Sequence, residues 1–343
     1  MASQATEVQA LLVATLALVV SVVLTLAAMH RARRLQLLDT PERRRLHTVP
    51  TPRGGGVGPI MAILLVCALW PQALAGLAWP LAIGLLAVAA ISWLDDHRSL
   101  AIRTRLWVHL VAAAIIVAAF IAAAAWPSRY SIGAGLILVV AVLASINLHN
   151  FMDGSDAHLT SQVVFVFAVL AGLAGRRDAA DLGALLGACT IACAAFLPFN
   201  WPPARIFLGD VGSISFGFLI AAFSLVALQR GIIGWGGALI LSSTFMIDAV
   251  ATLVGRMRRT RHWHAPHRDH LYQWLRRRGW GAARVVVVYQ GWNLLLVLPA
   301  LVVLDRHDHA PELEFWLTVA VYGLGVCVWC AARRALWRHH RAQ

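Results

Sequence analysis

Apolar residues run along this chain in long blocks, each about 17 to 23 residues, separated by short stretches rich in Arg, Asp, His and Gly. A helix needs about 20 residues to cross roughly 30 Å of hydrocarbon. The pattern predicts eleven such helices, at about 8–28, 55–72, 77–94, 106–125, 131–148, 159–174, 182–199, 213–228, 232–254, 282–304 and 313–332. The first block is read as a retained span: no basic stretch precedes it, and its Arg cluster follows. No internal repeat or low-complexity linker divides the sequence. The expectation is an all-α polytopic membrane protein, one integral membrane domain over 1–343.

Composition sharpens this. Hydrophobic residues make up 60% and charged residues only 13%, with mean hydropathy +0.72, which excludes an ordinary soluble domain. The formal net charge is +13, and every basic residue other than His is Arg. A balance so basic can signal nucleic acid, but these Arg lie in short loops, where they fix membrane orientation. With the N-terminus outside, the inner segments carry 24 Arg and the outer ones 5. That places the C-terminus inside, and no nucleic-acid partner is expected. Cys67, Cys189, Cys193, Cys327 and Cys330 all fall in apolar blocks and read as small buried hydrophobes. Cys327 and Cys330 have CxxC spacing but no second pair and no flanking His.

The orientation has a chemical consequence. Every polar cluster that looks reactive falls on the inner side. Asp95 and Asp96 end the third block; adjacent carboxylates at a membrane edge repel and need a cation or a shared proton. Arg98, Arg103 and Arg105 follow them, which fits phosphate groups and a divalent metal better than a plain polar helix end. The stretch Asn147 to Asp156 follows the fifth block. There Asp153 and Asp156 share a helical face, Gly154 permits close approach, and Asn147 and Asn150 supply neutral donors and acceptors. Phe207 to Ser213 precedes the eighth block; Gly209 and Gly212 expose backbone N–H groups at a new helix start, and Asp210 can reach a Mg²⁺. No Lys follows, so this is not a Walker loop. The longest inner loop holds His262, His264, His267, Arg268 and His270, read as phosphate and sugar ligands rather than a zinc shell. The run of Arg in the 39–56 loop, which holds Arg45 and His47, could attract anionic lipid headgroups or serve equally to dock a lipid phosphate substrate. Asp248 lies at hydrocarbon depth, and a structural and a site role are both open for it.

Taken together these motifs resemble the polyprenyl-phosphate N-acetylhexosamine-1-phosphate transferases, a superfamily that includes phospho-N-acetylmuramoyl-pentapeptide transferase and the enzymes that start O-antigen chains. The likeness runs from Asp39 to Gln273, with four motifs in order. It implies that Asp95 deprotonates the polyprenyl phosphate and that Asp96 and Asp210 are catalytic carboxylates that hold Mg²⁺ (or Mn²⁺). It implies nucleotide and phosphate binding by Asn147, Asn150, Asp153, Asp156, Gly209, Gly212, His267, Arg268 and His270. Arg45, His47 and Arg98 would bind the lipid phosphate. The form His267-Arg268-Asp269-His270, in place of three consecutive His, is similar to the O-antigen-initiating branch. Arg45 stands where relatives often have Lys, and it cannot easily carry a proton.

What the resemblance implies is transfer of an N-acetylhexosamine-1-phosphate, or its 6-deoxy relative, from a UDP-sugar to undecaprenyl phosphate. UMP would leave, and a lipid-linked surface glycan, lipopolysaccharide O-antigen among them, would be started. The enzyme would sit in the bacterial inner membrane with its site facing the cytoplasm, and a homodimer is compatible with the family. A transporter of an anionic substrate is the alternative, though it would place carboxylates near the midplane and show repeat symmetry.

Overall fold

The computed structural model describes residues 2–36, 38–39, 50–124, 128–262 and 267–341. Long apolar runs become helices because lipid offers no hydrogen bonds, so each backbone group must find its partner within the segment. In order these are α1 (Ala2–Arg34), α2 (Val57–Leu69), α3 (Ala78–Arg98), α4 (Ile102–Ala123), α5 (Ser128–Phe151), α6 (His158–Arg176), α7 (Ala180–Asn200), α8 (Gly209–Gln229), α9 (Trp235–Met257), α10 (Leu271–Arg277), α11 (Ala282–Trp292), α12 (Leu298–Arg306) and α13 (Pro311–Arg341). A π-helical turn, Asn293–Val297, joins α11 to α12 in one continuous crossing. Two short antiparallel strands, β1 (Leu38–Asp39) and β2 (Thr51–Pro52), pair Leu38 with Pro52 and Asp39 with Thr51.

The membrane architecture is as expected, with one difference in count. Ten helices among the described residues are long and apolar enough to span, not eleven. The exception is α2, whose 13 residues extend about 20 Å. Its apolar block begins earlier in the sequence, but Gly55 and Gly56 form a turn whose N–H groups bond to the 207–208 segment. Its far end stops at Trp70 because Pro71 follows and turns the chain into a short 3₁₀ helix, Pro71–Leu74. That turn still reaches the opposite end of the bundle, where Arg230 and Gln229 at the end of α8 donate to the carbonyls of Ala73 and Ala75.

At the centre, α8 is buried over almost its whole length. Two glycines let it be crossed closely: Gly217 lies against the backbone of Ile146 on α5, and Gly84 of α3 lies against the Phe218 ring. The two ends of the bundle differ in chemistry. One carries closed ion pairs, Asp305 with Arg176 and Arg177 at 2.7 Å each and Asp181 with Arg230 at 2.8 Å. The other gathers Arg53, Arg105, Arg268 and a group of carboxylates around an open cavity. Cys67, Cys189 and Cys193 are buried as expected. Cys327 is exposed and Cys330 half-buried, because among the described residues one face of α13 has no helix packed on it.

Candidate active site

The cavity measures about 560 Å³, the size of a small-ligand site. It lies where the ends of α3, α5 and α8 meet the segments after α1 and α9. Its wall includes Asp39, Arg53, Asp96, Asn150, Asp153 to Asp156, Asn200, Phe207 to Asp210, Arg268, Gln273 and Arg276. Four carboxylates expected from three separate motifs, Asp96, Asp153 with Asp156, and Asp210, therefore share one space.

The aspartate pair is split in use. Asp95 accepts from the Leu100 backbone N–H at 2.7 Å and from Arg105 Nη1 at 2.5 Å, so both its oxygens are committed. Ser99, left-handed at φ 45°, closes the end of α3 by donating its N–H to the Asp95 carbonyl at 3.0 Å. Asp96 points into the cavity, with Arg53 Nη1 3.6 Å from its carboxylate and Arg53 Nη2 donating to its carbonyl at 3.2 Å. Arg105 also stands 3.8 Å from Asp210, so it bridges the two motifs.

The Gly-Asp loop is held by backbone contact. Gly55 and Gly56 donate to the carbonyls of Phe207 and Leu208 at 2.9 Å each, and Phe207 donates to Pro52 at 2.8 Å. Gly209 sits at φ 74°, where a Cβ would also fall 2.9 Å from the Gly54 nitrogen, so only glycine fits. This loop starts α8 at Gly209, earlier than the Gly212-Ser213 start expected, and puts Asp210 in the first helical turn, where the dipole favours its charge. Gly212 does not line the cavity; it packs against the Gly56 backbone and Leu208.

At the end of α5, Asn150 donates to Ser213 Oγ at 2.7 Å and lies 3.4 Å from Asp210 Oδ1. Asn147 bonds back to Leu143 in its own helix at 2.7 Å and is not at the cavity wall. The 152–157 loop is tied to the 200–206 turn by Asn200, which accepts from Ala157 N–H at 3.1 Å and Thr160 at 2.9 Å and donates to Ile206 at 3.2 Å. Asp156 accepts from Ala204 N–H at 3.1 Å. Burial pushes the Asp153 carboxyl well above the usual range, and the charges of Asp210 and Asp156 push it further. A cation entering here would relieve that repulsion.

Of the late His-rich motif, Arg268 lines the cavity. His270 is buried and instead forms the amino cap of α10, its N–H donating to Gln273 Oε1 at 3.3 Å. His267 stands beside it, ring centroids 5.0 Å apart, outside the wall. Burial, with His270 and Arg256 nearby, lowers the His267 pKa to about 4. Arg98 is exposed at the end of α3, also off the wall. Arg45 and His47 lie outside the described residues. Sequence reading missed Asp39, Arg53, Asn200, Gln273 and Arg276 as wall residues; none differs in type from ordinary loop polar groups.

Residues 78–228, from α3 through α8, match the family described as glycosyl transferase family 4. The match takes in less than half of the chain, so what it marks is a likeness to that family over the span from α3 through α8. Among its relatives, decaprenyl-phosphate N-acetylglucosaminephosphotransferase of Mycobacterium leprae is 28% identical over 308 residues, 76% of this chain and 75% of the relative. Phospho-N-acetylmuramoyl-pentapeptide-transferase of Geobacillus kaustophilus is 26% identical over 270 residues, covering 72% and 82%. The enzyme of that name from Clostridioides difficile is 29% identical over 280 residues, covering 72% and 81%. The family 4 match takes in Asp95, Asp96, the 147–156 stretch and Asp210; Arg53, Arg268, Gln273 and Arg276 complete the same cavity from outside it.

The donor set of the cavity suits Mg²⁺. Among the described residues no group of three or more His, Cys, Asp or Glu side chains forms a closed metal cage. Mg²⁺ does not need one, because it keeps waters and is bound through one or two carboxylates plus substrate phosphates. Asp96, in the last turn of α3, and Asp210, in the first turn of α8, offer that arrangement at the wall.

Proposed function

We propose that this protein transfers a sugar-1-phosphate from a UDP-sugar to a polyprenyl phosphate and releases UMP. The observation that carries the reading is the cavity itself. Five carboxylates and three arginines, from five separated segments, meet at one end of a membrane bundle where a lipid phosphate and a soluble nucleotide can both arrive.

Chemistry follows from the wall. A phosphate oxygen of the lipid attacks the β-phosphorus of the UDP-sugar, and the bond to the bridging oxygen breaks so that UMP departs. One phosphoanhydride replaces another, so the reaction runs readily in reverse. Nucleophile and leaving group are both phosphates, so positioning and charge neutralisation dominate catalysis. Arg53, Arg268 and Arg276 neutralise phosphate charge. Asp96 and Asp210 would hold Mg²⁺, which when bound neutralises the diphosphate. Asn150 orients Asp210. Asp96, the member of the pair that faces the cavity, also takes the remaining proton of the attacking phosphate; Asp95 is committed to Arg105 and Leu100 and acts by holding them.

The finer reading is an N-acetylhexosamine-1-phosphate, or its 6-deoxy relative, given to undecaprenyl phosphate to start a surface glycan such as O-antigen. The His267-Arg268-Asp269-His270 form supports that branch over the muramoyl-pentapeptide one, and the relatives include enzymes of both names. The Arg-rich end that bears the cavity faces the cytoplasm of a bacterial inner membrane.

Purified protein with undecaprenyl phosphate, Mg²⁺ and a panel of UDP-N-acetyl sugars tests this by UMP release. Release with one or two sugars, abolished by chelation and by Asp210→Asn, is expected. No release with any sugar from folded protein would sink the reading.

A further inference from the structure

Asp248 lies inside α9 and is 2% exposed, a carboxylate at hydrocarbon depth. Such a group normally needs a cation. Among the described residues it makes no salt bridge. Its two oxygens accept from five donors instead: Leu271 N–H at 2.7 Å, Tyr272 N–H at 3.3 Å, Tyr289 Oη at 2.7 Å, Trp329 Nε1 at 2.9 Å and Thr252 Oγ1 at 3.2 Å. Those donors belong to α10, α11, α13 and α9 itself. The two from α10 are the first two amides of that helix, which have no partner within it.

α10 is only seven residues long and too short to be stable alone. Yet it carries two wall residues of the active site, Gln273 and Arg276, three apart and so on one face. Tyr272, between Asp248 and the site, donates its hydroxyl to the Phe151 carbonyl at 3.1 Å. That hydroxyl also fills the space where a Cβ on Gly154 would stand. The 151–154 loop, which carries Asp153, is therefore braced against α10, and α10 is braced against Asp248.

We propose that Asp248 is a positioning residue that sets the placement of α10, and through it Gln273, Arg276 and the 151–154 loop, from outside the cavity. The proposal rests on reading the cavity as the UDP-sugar site.

Backbone hydrogen exchange of the 267–280 region in the full-length, detergent-purified protein gives a readout independent of substrate. It is paired with kcat and KM for the UDP-sugar and with Tm. The variants are Asp248→Asn, Leu271→Pro, Tyr289→Phe and Trp329→Phe. Leu271→Pro removes one α10 donor while leaving Asp248 intact. Proline is tolerated at a first helical position, and His270 before it is already extended at φ −59°, ψ 147°.

Asp248→Asn and Leu271→Pro are expected to raise exchange at the start of α10 and to raise KM, each by about tenfold, the worth of one hydrogen bond to a charged group. Tyr289→Phe and Trp329→Phe remove donors from the same carboxylate but not from α10. They are expected to lower Tm while leaving α10 exchange and KM within about twofold of wild type. If all four variants act alike, Asp248 is bundle glue and the proposal is overturned. Unchanged exchange in folded Asp248→Asn overturns it too, and should that variant not fold, unchanged exchange in Leu271→Pro does so. Wild-type protein that releases no UMP would defeat the functional reading while leaving the exchange result to be judged by itself.

Discussion

Asp95 and Asp96 are neighbours in sequence with different tasks in space, and substitution should separate them. Asp96→Asn is expected to lower kcat by at least about 100-fold with little change in Tm, since it removes a proton acceptor at the wall. Asp95→Asn leaves Arg105 without its closest partner and should cost ~1–3 kcal/mol of stability as well as activity. Parallel kinetics and thermal unfolding distinguish the two. His267 makes a separate prediction. Its folded pKa is about 4, below an unfolded value of 6.5. The unfolded chain therefore takes up the proton first, so the stability His267 contributes is complete above pH 6.5 and is lost as pH falls from 6.5 towards 4. His267→Gln should show a smaller drop in Tm between pH 7.5 and about 5 than wild type does. Residue types made the acidic motifs legible in sequence, because a carboxylate beside a membrane span is conspicuous. Arg53, Gln273 and Arg276 were not legible. Nothing in an Arg-rich loop marks which guanidinium turns inward.

At the scale of elements, the glycine-lined clasp between 52–56 and 207–212 shapes the mouth of the site. Gly209→Ala forces a left-handed side chain, about 1–2 kcal/mol, into a space the Gly54 backbone already occupies. We expect the protein to fold, with UMP release down by about 100-fold or more because Asp210 is displaced by the strained turn. Activity beside Tm shows whether the loss is local. Sequence pattern placed the long helices well, since an apolar run of spanning length has few alternatives in lipid. It misjudged α2 for a clear reason: Gly55 and Gly56 belong to the 55–72 block by composition but to the clasp by contact. It missed α10 altogether, because seven residues among Arg and His give no periodic signal, and the helix is held by Asp248 from elsewhere in the chain.

For the whole molecule, the division of Arg along the sequence matches two physically distinct ends. Arg53, Arg105 and Arg268 surround the cavity, while Arg176, Arg177 and Arg230 sit in closed ion pairs at the other end. Arg333, near the end of α13, stacks on Trp274 of α10 at 4.3 Å and so belongs to the cavity end. In intact inverted vesicles, a cysteine placed at Ser99 should react with a membrane-impermeant maleimide, and one at Asp308 should not, in a background freed of native cysteines. The reverse pattern would put the cavity on the wrong face. That the reactive motifs gather at one end of the bundle was legible in the Arg count. The joining of the four motifs into one space was not, because it depends on how α3, α5 and α8 cross.

The clasp also bears on how the protein is made. Gly55 and Gly56 leave the ribosome early, but their partners Phe207 and Leu208 follow only after α7 has been synthesised. Chains grow from the N-terminus, and early segments wait for later ones. Until α8 enters the bilayer, Asp95, Asp96 and the 147–156 stretch have no Asp210 to face and no clasp to shape the mouth. A nascent chain halted before Gly209 would carry most of the wall but neither Asp210 nor the helix start that it opens, so the cavity closes only when the second half of the bundle arrives.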